Sequence, residues 1–237
     1  MRLHVLLAKA GYASRRAAER LVSEGRVRVN GQIIQKQGVR VNPRTDRIEV
    51  DGKGVRARFE RKRYFIFHKP DGVVTTLKDR HAERTVADFF RDIPEKLVPA
   101  GRLDKHSTGL LLMTNDGDLI YRLTHPRYQV ERSYRVLVKG NLSPELIRRL
   151  ERGIILDEKR TAPCRVRVLS LSGDTQELMM TLHEGRKREI REMMKRIGSR
   201  AIKIHRESYG PIHLGNLKSG ARRELSADEV AQLVNKT

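Results

Sequence analysis

From the N-terminus, Leu3, Leu6, Leu7 and Ala10 recur at helical spacing, and Gly11 can close that helix in a left-handed cap. Ser14 suits the N-cap of a second helix whose inward face is Ala17, Ala18, Leu21 and Val22 and which Gly25 stops. Val27, Val29 and Ile33, arranged around the Asn30-Gly31 pair, predict a two-residue β-hairpin. Over residues 51–63, DGKGVRARFERKR, charges and glycines replace the periodic apolar positions, and a linker is expected there.

Beyond it the period shortens. YFIFHK reads as a buried strand, Pro70-Asp71-Gly72 as a turn, and VVTTL as a second strand returning from it. Leu110 to Thr114 is another apolar strand, ended by Asn115-Asp116-Gly117 and followed by a short helix through Leu119, Ile120 and Leu123. SYRVLV alternates with Tyr134, Val136 and Val138 on one face. Ser143-Pro144-Glu145 opens a helix that Gly153 closes. CRVRVLSL and ELMMTLH are strands, and KREIREMMKRIG is a helix with Ile190, Met193, Met194 and Ile197 inward. AIKIHRESYG and RREL supply the last strands, and Ser226 with Glu229 makes a capping box for a final helix. Many strands with intervening helices, lacking the regular alternation of a doubly wound sheet, predict an α+β fold with a largely antiparallel sheet.

Charge narrows the function. Among 237 residues, 50 Lys and Arg against 29 Asp and Glu give a formal +21, so a polyanion is the expected partner. The N-terminal apolar stretch is too short for a signal peptide, and no run approaches the roughly 18 residues of a spanning helix, so a cytoplasmic protein without membrane contact is expected. Cys164 is the one cysteine, the eight histidines lack metal-ligand spacing, and there is neither a dinucleotide fingerprint nor a phosphate loop. No metal and no cofactor are expected. Residues 1–60 hold 14 Lys or Arg against 6 acids, too small a piece to be an enzyme by itself. In GRLDKHSTGL, Arg102 and Asp104 would share a face if extended and could pair; spacing alone leaves a structural ion pair and a catalytic carboxylate both open.

Two resemblances carry the reading further. SRRAAERLVSEGRVRVNG resembles the RNA-binding module named after a small-subunit ribosomal protein, which implies that Arg15, Arg16, Arg20 and Arg26 contact phosphates of a structured RNA. GRLDKHSTGLLLMTNDGDL resembles the signature of pseudouridine synthases, and HKP at 68–70, ERSYRVLV at 131–138 and EGRKREIREMMKRIG at 184–198 agree with it in order. Together they cover nearly the whole chain and are similar to the branch typified by RsuA and RluB. The resemblance implies a small α/β RNA-binding module, residues 1–60, followed by a largely antiparallel, mixed-sheet catalytic domain, residues 61–237.

It further implies cofactor-independent isomerisation of uridine to pseudouridine in ribosomal RNA. Asp104 would be the catalytic aspartate, as nucleophile or as base. Tyr134 would pack on the target base and serve in proton transfer, and Arg191 would pair with the aspartate. Arg102 would fix the loop, and Lys69-Pro70 would form part of the floor of the site, with Lys69 also among the RNA-binding residues. SYGPIHLGNLKSGARREL is closer to the large-subunit members, favouring 23S-type over 16S-type rRNA, and a monomer is expected. Two other readings stand beside this one: a non-catalytic rRNA-binding assembly factor, and an RNA N-glycosidase, which would want a second carboxylate near Asp104.

Overall fold

The computed structural model describes residues 1–55 and 61–235 and divides the chain into two compact units, Met1–Arg61 and Lys62–Thr237. In the first, α1 (Leu3–Lys9) and α2 (Arg15–Ser23) pack on a small sheet ordered β2 (Gln32–Ile33), β1 (Val27–Val29), β3 (Ile48–Val50), β4 (Lys53–Gly54). Gly11 takes its expected left-handed conformation, φ +78°. Ser14 Oγ accepts from Ala17 N–H at 3.3 Å, a cap that contributes about 1 kcal/mol. Asn30 and Gly31 both have positive φ, 51° and 83°, as a tight hairpin turn requires. Leu3, Leu6, Leu7, Ala18, Val22, Val27, Ile48 and Val50 form this unit's own core. The expected linker begins later than its composition suggested. Asp51-Gly52 is the turn of a second hairpin, in which Val50 pairs with Lys53, and residues 56–60 of the predicted linker lie outside the described residues.

The second unit runs β5 (Tyr64–Lys69), β6 (Val98–Pro99), β7 (Thr108–Thr114), α3 (Gly117–Thr124), β8 (Arg132–Lys139), α4 (Pro144–Glu151), β9 (Ile155–Leu156), β10 (Lys159–Arg160), β11 (Arg165–Ser172), β12 (Thr175–Leu182), α5 (Glu189–Arg196), β13 (Ala201–Tyr209), β14 (Ile212–His213), β15 (Arg222–Glu224) and α6 (Ala227–Asn235). The main sheet has the order β11-β12-β8-β13-β7-β5-β15, and β9 with β10 forms a separate hairpin. Every pair is antiparallel except β13 with β7, so the sheet is mixed around one parallel seam.

Strand chemistry follows position. β5 and β7 read as continuous apolar runs because both faces are covered. Leu110, Leu112 and Ile66 meet α3 and α6 residues such as Leu119, Leu123 and Leu233, while Leu111, Met113, Phe65 and Phe67 meet Val86 and Phe90 on the other side. β8, β12 and β13 alternate, burying Val136, Val138, Leu178, Met180 and Ile204 against Leu150 of α4 and Met193 and Met194 of α5. Each fully buried Leu, Ile or Met of this kind contributes about 1.5–3 kcal/mol.

One predicted strand is absent. VVTTL makes only an isolated bridge, Val74 to Thr85, because Thr75 turns aside to bond the 101–107 loop.

Candidate active site

Residues 101–107 leave the sheet between β6 and β7, and their backbone is fastened from four directions. Thr75 Oγ1 donates to Leu103 O at 2.6 Å and accepts from Leu103 N–H at 3.3 Å. Lys69 Nζ donates to Lys105 O at 3.1 Å, as does Gly72 N–H at 3.0 Å. Arg191 Nη2 donates to His106 O at 2.8 Å, and Ser107 N–H closes a turn on Asp104 O at 3.0 Å. The fastened loop sets half-buried Asp104 in the wall of a cavity of about 170 Å³.

The same cavity is walled by Tyr134 from β8, Arg206 and Tyr209 from β13, Arg132 from β8, and Glu184, Arg186, Arg188 and Glu189 ahead of and on α5. Tyr134 and Arg206 are register partners across β8 and β13, with the guanidinium carbon 6.0 Å from the ring centroid. Tyr134 also touches both neighbouring cores, which fixes its ring between them. Arg206 is 1% exposed; its Nε donates to Leu110 O at 2.7 Å, and its Nη2 is the buried side-chain polar atom that has no partner among the described residues. The guanidinium is partly compensated by that bond and by the Tyr209 ring, 4.9 Å from its carbon, and leaves Nη2 as a donor with no acceptor among the described residues in a residue that walls the cavity. Arg132, also buried, spends its guanidinium on Leu123 O, Glu184 O and the hydroxyl of Tyr209.

Three expectations from the sequence are revised. Arg102 is exposed and forms no ion pair with Asp104 among the described residues; 101–107 is not a strand, so the shared-face argument fails, and Thr75, Lys69 and Arg191 hold the loop instead. Arg191 likewise makes no ion pair with Asp104: its two Nη atoms go to the carbonyls of Ala201 and His106, which places it behind the loop. Lys69 is fully buried, bonded to Pro70 O and Lys105 O, and so lies under the loop rather than open to RNA. Burial pushes its ammonium down to about 8, against the opposing pull of Asp71 and Asp104. In the first unit, Arg15, Arg16 and Arg20 are exposed on α2, whereas Arg26 is held by Asp51 at 2.9 and 2.6 Å. Cys164 is buried and inert, with burial pushing its thiol well up.

Sequence reasoning missed Arg206, Arg132, Glu184 and Glu189. A signal for the first existed: Ile204, Arg206 and Ser208 alternate on the buried face of β13, and an arginine at an inward strand position is rarely placed there without a use. Among the described residues no group of His, Cys, Asp and Glu could hold a metal ion, and no helix is long and apolar enough to cross a membrane.

A family model described as RNA pseudouridylate synthase matches residues 63–196, the span that contributes the loop, β8 and α5. The chain belongs to the RNA pseudouridylate synthase family. A model of the S4 domain matches residues 1–48. The chain is 44% identical over 234 residues to the ribosomal large subunit pseudouridine synthase B of Bacillus subtilis (strain 168), covering 98% of this chain and 95% of that protein. It is 41% identical to an uncharacterized RNA pseudouridine synthase of Aquifex aeolicus (strain VF5), covering 98% and 93%. A crystal structure of a pseudouridylate synthase superposes with a TM-score of 0.71 at 28% identity, over 98% of this chain and 99% of that one.

In this RNA pseudouridylate synthase the two glutamates of the cavity behave as a pair. Burial raises Glu189 to about 7, helped by its hydrogen bond to Glu184. Burial would raise Glu184 too, but the N–H of Ala162, Glu189 itself and Arg186 outweigh it and hold that carboxyl below the usual range. Glu189 therefore binds its proton more tightly folded than unfolded, and the fold loses stability as pH rises from about 4.5 to about 7. Glu189→Gln keeps the neutral form at every pH, accepting from Arg186 N–H and donating to Glu184. Relative to the unmodified protein it should be about 2–3 kcal/mol more stable at pH 8 and near parity at pH 4.5, read by urea unfolding at both. A difference that does not change with pH would mean that the two carboxylates share no proton.

Proposed function

We propose that this synthase converts uridine to pseudouridine in ribosomal RNA of the large subunit, with Asp104 as the catalytic carboxylate, without a cofactor, as a monomer in the cytoplasm. The observation that carries the reading is the carboxylate of Asp104 held by a backbone-fastened loop in one cavity with the ring of Tyr134 and the unpartnered Nη2 of Arg206. The large-subunit choice rests on the 44% identity to the Bacillus large-subunit enzyme.

The chemistry fits those groups. The bond from C1′ to N1 breaks, the uracil turns while held, C5 bonds to C1′, N1 gains a proton and C5 loses one; nothing is consumed. A carboxylate serves as nucleophile at the sugar or as a base, and Arg206 lies in the same cavity as a donor to charge that develops there. The ring of Tyr134 gives the detached base a face to lie against. Arg191 acts through the His106 carbonyl as a positioning residue. The target nucleotide must leave its stack at a cost of a few kcal/mol, which phosphate contacts offset. Residues 1–60 would supply some of these through Arg15, Arg16 and Arg20, with residues 61–237 as the catalytic domain.

A second reading has one observation behind it. Glu189 is an acid near its midpoint at neutral pH in the same cavity as Asp104, the pairing an N-glycosidase would use. One assay separates the readings. With rRNA carrying 5-tritiated uridine, in EDTA, isomerisation releases tritium to water and leaves the chain free of abasic sites. Release of tritiated uracil would instead mark a glycosidase, and binding with no release of either kind would mark a non-catalytic binding factor.

A further inference from the structure

The catalytic cavity does not end at its own walls. It shares Arg186 and Arg188 with a second cavity of about 550 Å³, lined also by Lys187, Glu192 and Lys195. That one shares Arg196 with a third, of about 750 Å³, between α4 and the β9–β10 hairpin, lined by Arg148, Arg149, Arg152 and Arg160. Along the second and third, nine cations face three acids, Glu145, Asp157 and Glu192.

Of these nine cations only Arg186, bonded to Glu184, has a carboxylate partner among the described residues. Several other arginines of the unit are neutralised locally: Arg63 by Glu95 and Glu224, Arg135 by Glu177 and Glu207, Arg165 by Glu131, Arg223 by Glu229. Among the described residues, none of Arg148, Arg149, Arg152, Lys187, Arg188 and Lys195 is in an ion pair. Arg148, Arg149 and Arg152 fall on one exposed face of α4 and its C-cap, and like charges four apart on a helix repel. Arg160 and Arg196 each commit a guanidinium nitrogen to a backbone carbonyl, Gly153 O at 2.8 Å and Ile155 O at 3.2 Å, which fixes their heads in the cleft with further N–H donors left over. Arg188, at the junction with the catalytic cavity, is a non-glycine in the left-handed region, φ 57°, a local strain of the kind that collects at binding sites.

We propose that this strip is the track along which the sugar-phosphate backbone of the RNA flanking the target uridine leaves the catalytic cavity, its phosphates seated on Arg188, Lys187, Lys195, Arg196 and the Arg148–Arg152 face. The inference rests on RNA being the substrate. A lone anion would fill one cleft; three contiguous clefts of one sign suit a polymer with a charge at every residue.

The test uses the full chain and an rRNA fragment of the large subunit, with affinity measured against salt concentration. Arg148→Gln/Arg149→Gln/Arg152→Gln changes exposed side chains only. It should weaken binding about tenfold or more near 0.1 M salt and lower the log–log salt slope by about 2–3, at roughly 0.7–0.9 per phosphate lost. Lys187→Gln/Lys195→Gln, at the other end, should lower it by about 1–2. Restoring charge as Arg148→Lys/Arg149→Lys/Arg152→Lys should recover most of the slope. An oligonucleotide only a few residues long around the target should bind the first variant as it binds the unmodified protein. Slopes equal to the unmodified protein in both glutamine variants would overturn the track while leaving the catalytic reading standing. Affinity independent of salt in the unmodified protein would instead sink the RNA reading itself.

Discussion

Asp104→Asn should lower tritium release from 5-tritiated uridine by roughly 10⁴-fold or more, the scale on which a nucleophile or its essential partner acts. The substitution keeps shape and removes charge. It should not disturb the loop, because the loop is held through backbone atoms, with Leu103 bonded to Thr75, Lys105 to Lys69 and His106 to Arg191, and Asp104 contributes only its carbonyl, to Ser107. Unfolding midpoint and RNA affinity should therefore stay close to those of the unmodified protein, the affinity within a few-fold. A variant that folds, binds RNA and retains more than about a tenth of the rate would remove Asp104 from the chemistry.

Gly109→Ala should be the most damaging single methyl in the second unit. Gly109 has φ +102°, and a Cβ there would lie 2.3 Å from Arg206 O, 2.6 Å from Arg206 N and 2.9 Å from Arg206 C. All three are backbone atoms of the neighbouring strand, locked by the pairing of Arg206 with Gly109 on one side and Tyr134 on the other, so nothing can rotate away. Either β7 and β13 separate or the chain adopts another register, and both sacrifice the two-sided core around Leu110 and Leu111. A loss upwards of about 4 kcal/mol is expected, lowering the unfolding midpoint by about 10 °C or more in a unit of this size. Gly140→Ala is the control. Its φ is +79°, but a Cβ there meets nothing within 4 Å, so only backbone strain of about 1–2 kcal/mol applies. Equal losses in the two variants, by urea unfolding, would show that the seam yields.

Much of this was legible beforehand, and the reasons are local. Asn30-Gly31, Ser143-Pro144 and the Ser226 with Glu229 box act within three or four residues, and each formed as read, the last with Ser226 N–H on Glu229 at 2.9 Å and Glu229 N–H on Ser226 Oγ at 3.2 Å. Alternation likewise marked the inward face of β8, where Val136 and Val138 are buried. What failed was pairing at a distance. VVTTL has the composition of a strand, yet Thr75 finds its partner 28 residues away at Leu103. Arg102 sits two residues from Asp104 in sequence, but the loop between is not extended. Arg206 reaches the cavity only because β13 docks between strands that begin at 108 and 132, and no local pattern encodes that adjacency.

That same docking sets the order in which a newly made chain can acquire its parts. The contacts that build the first unit close within its opening 55 residues, so it can fold while most of the protein is still being synthesised. The cavity needs Lys69, Asp104, Tyr134, Glu189 and Arg206, and the edge of its sheet waits for residues 222–224 to lie beside β5. A polypeptide released early, before Arg206 is added, would then carry the part suited to holding RNA and lack the part that changes it. By the RNA-binding role proposed for residues 1–60, such a fragment would compete with its own finished form for RNA and leave the uridine untouched.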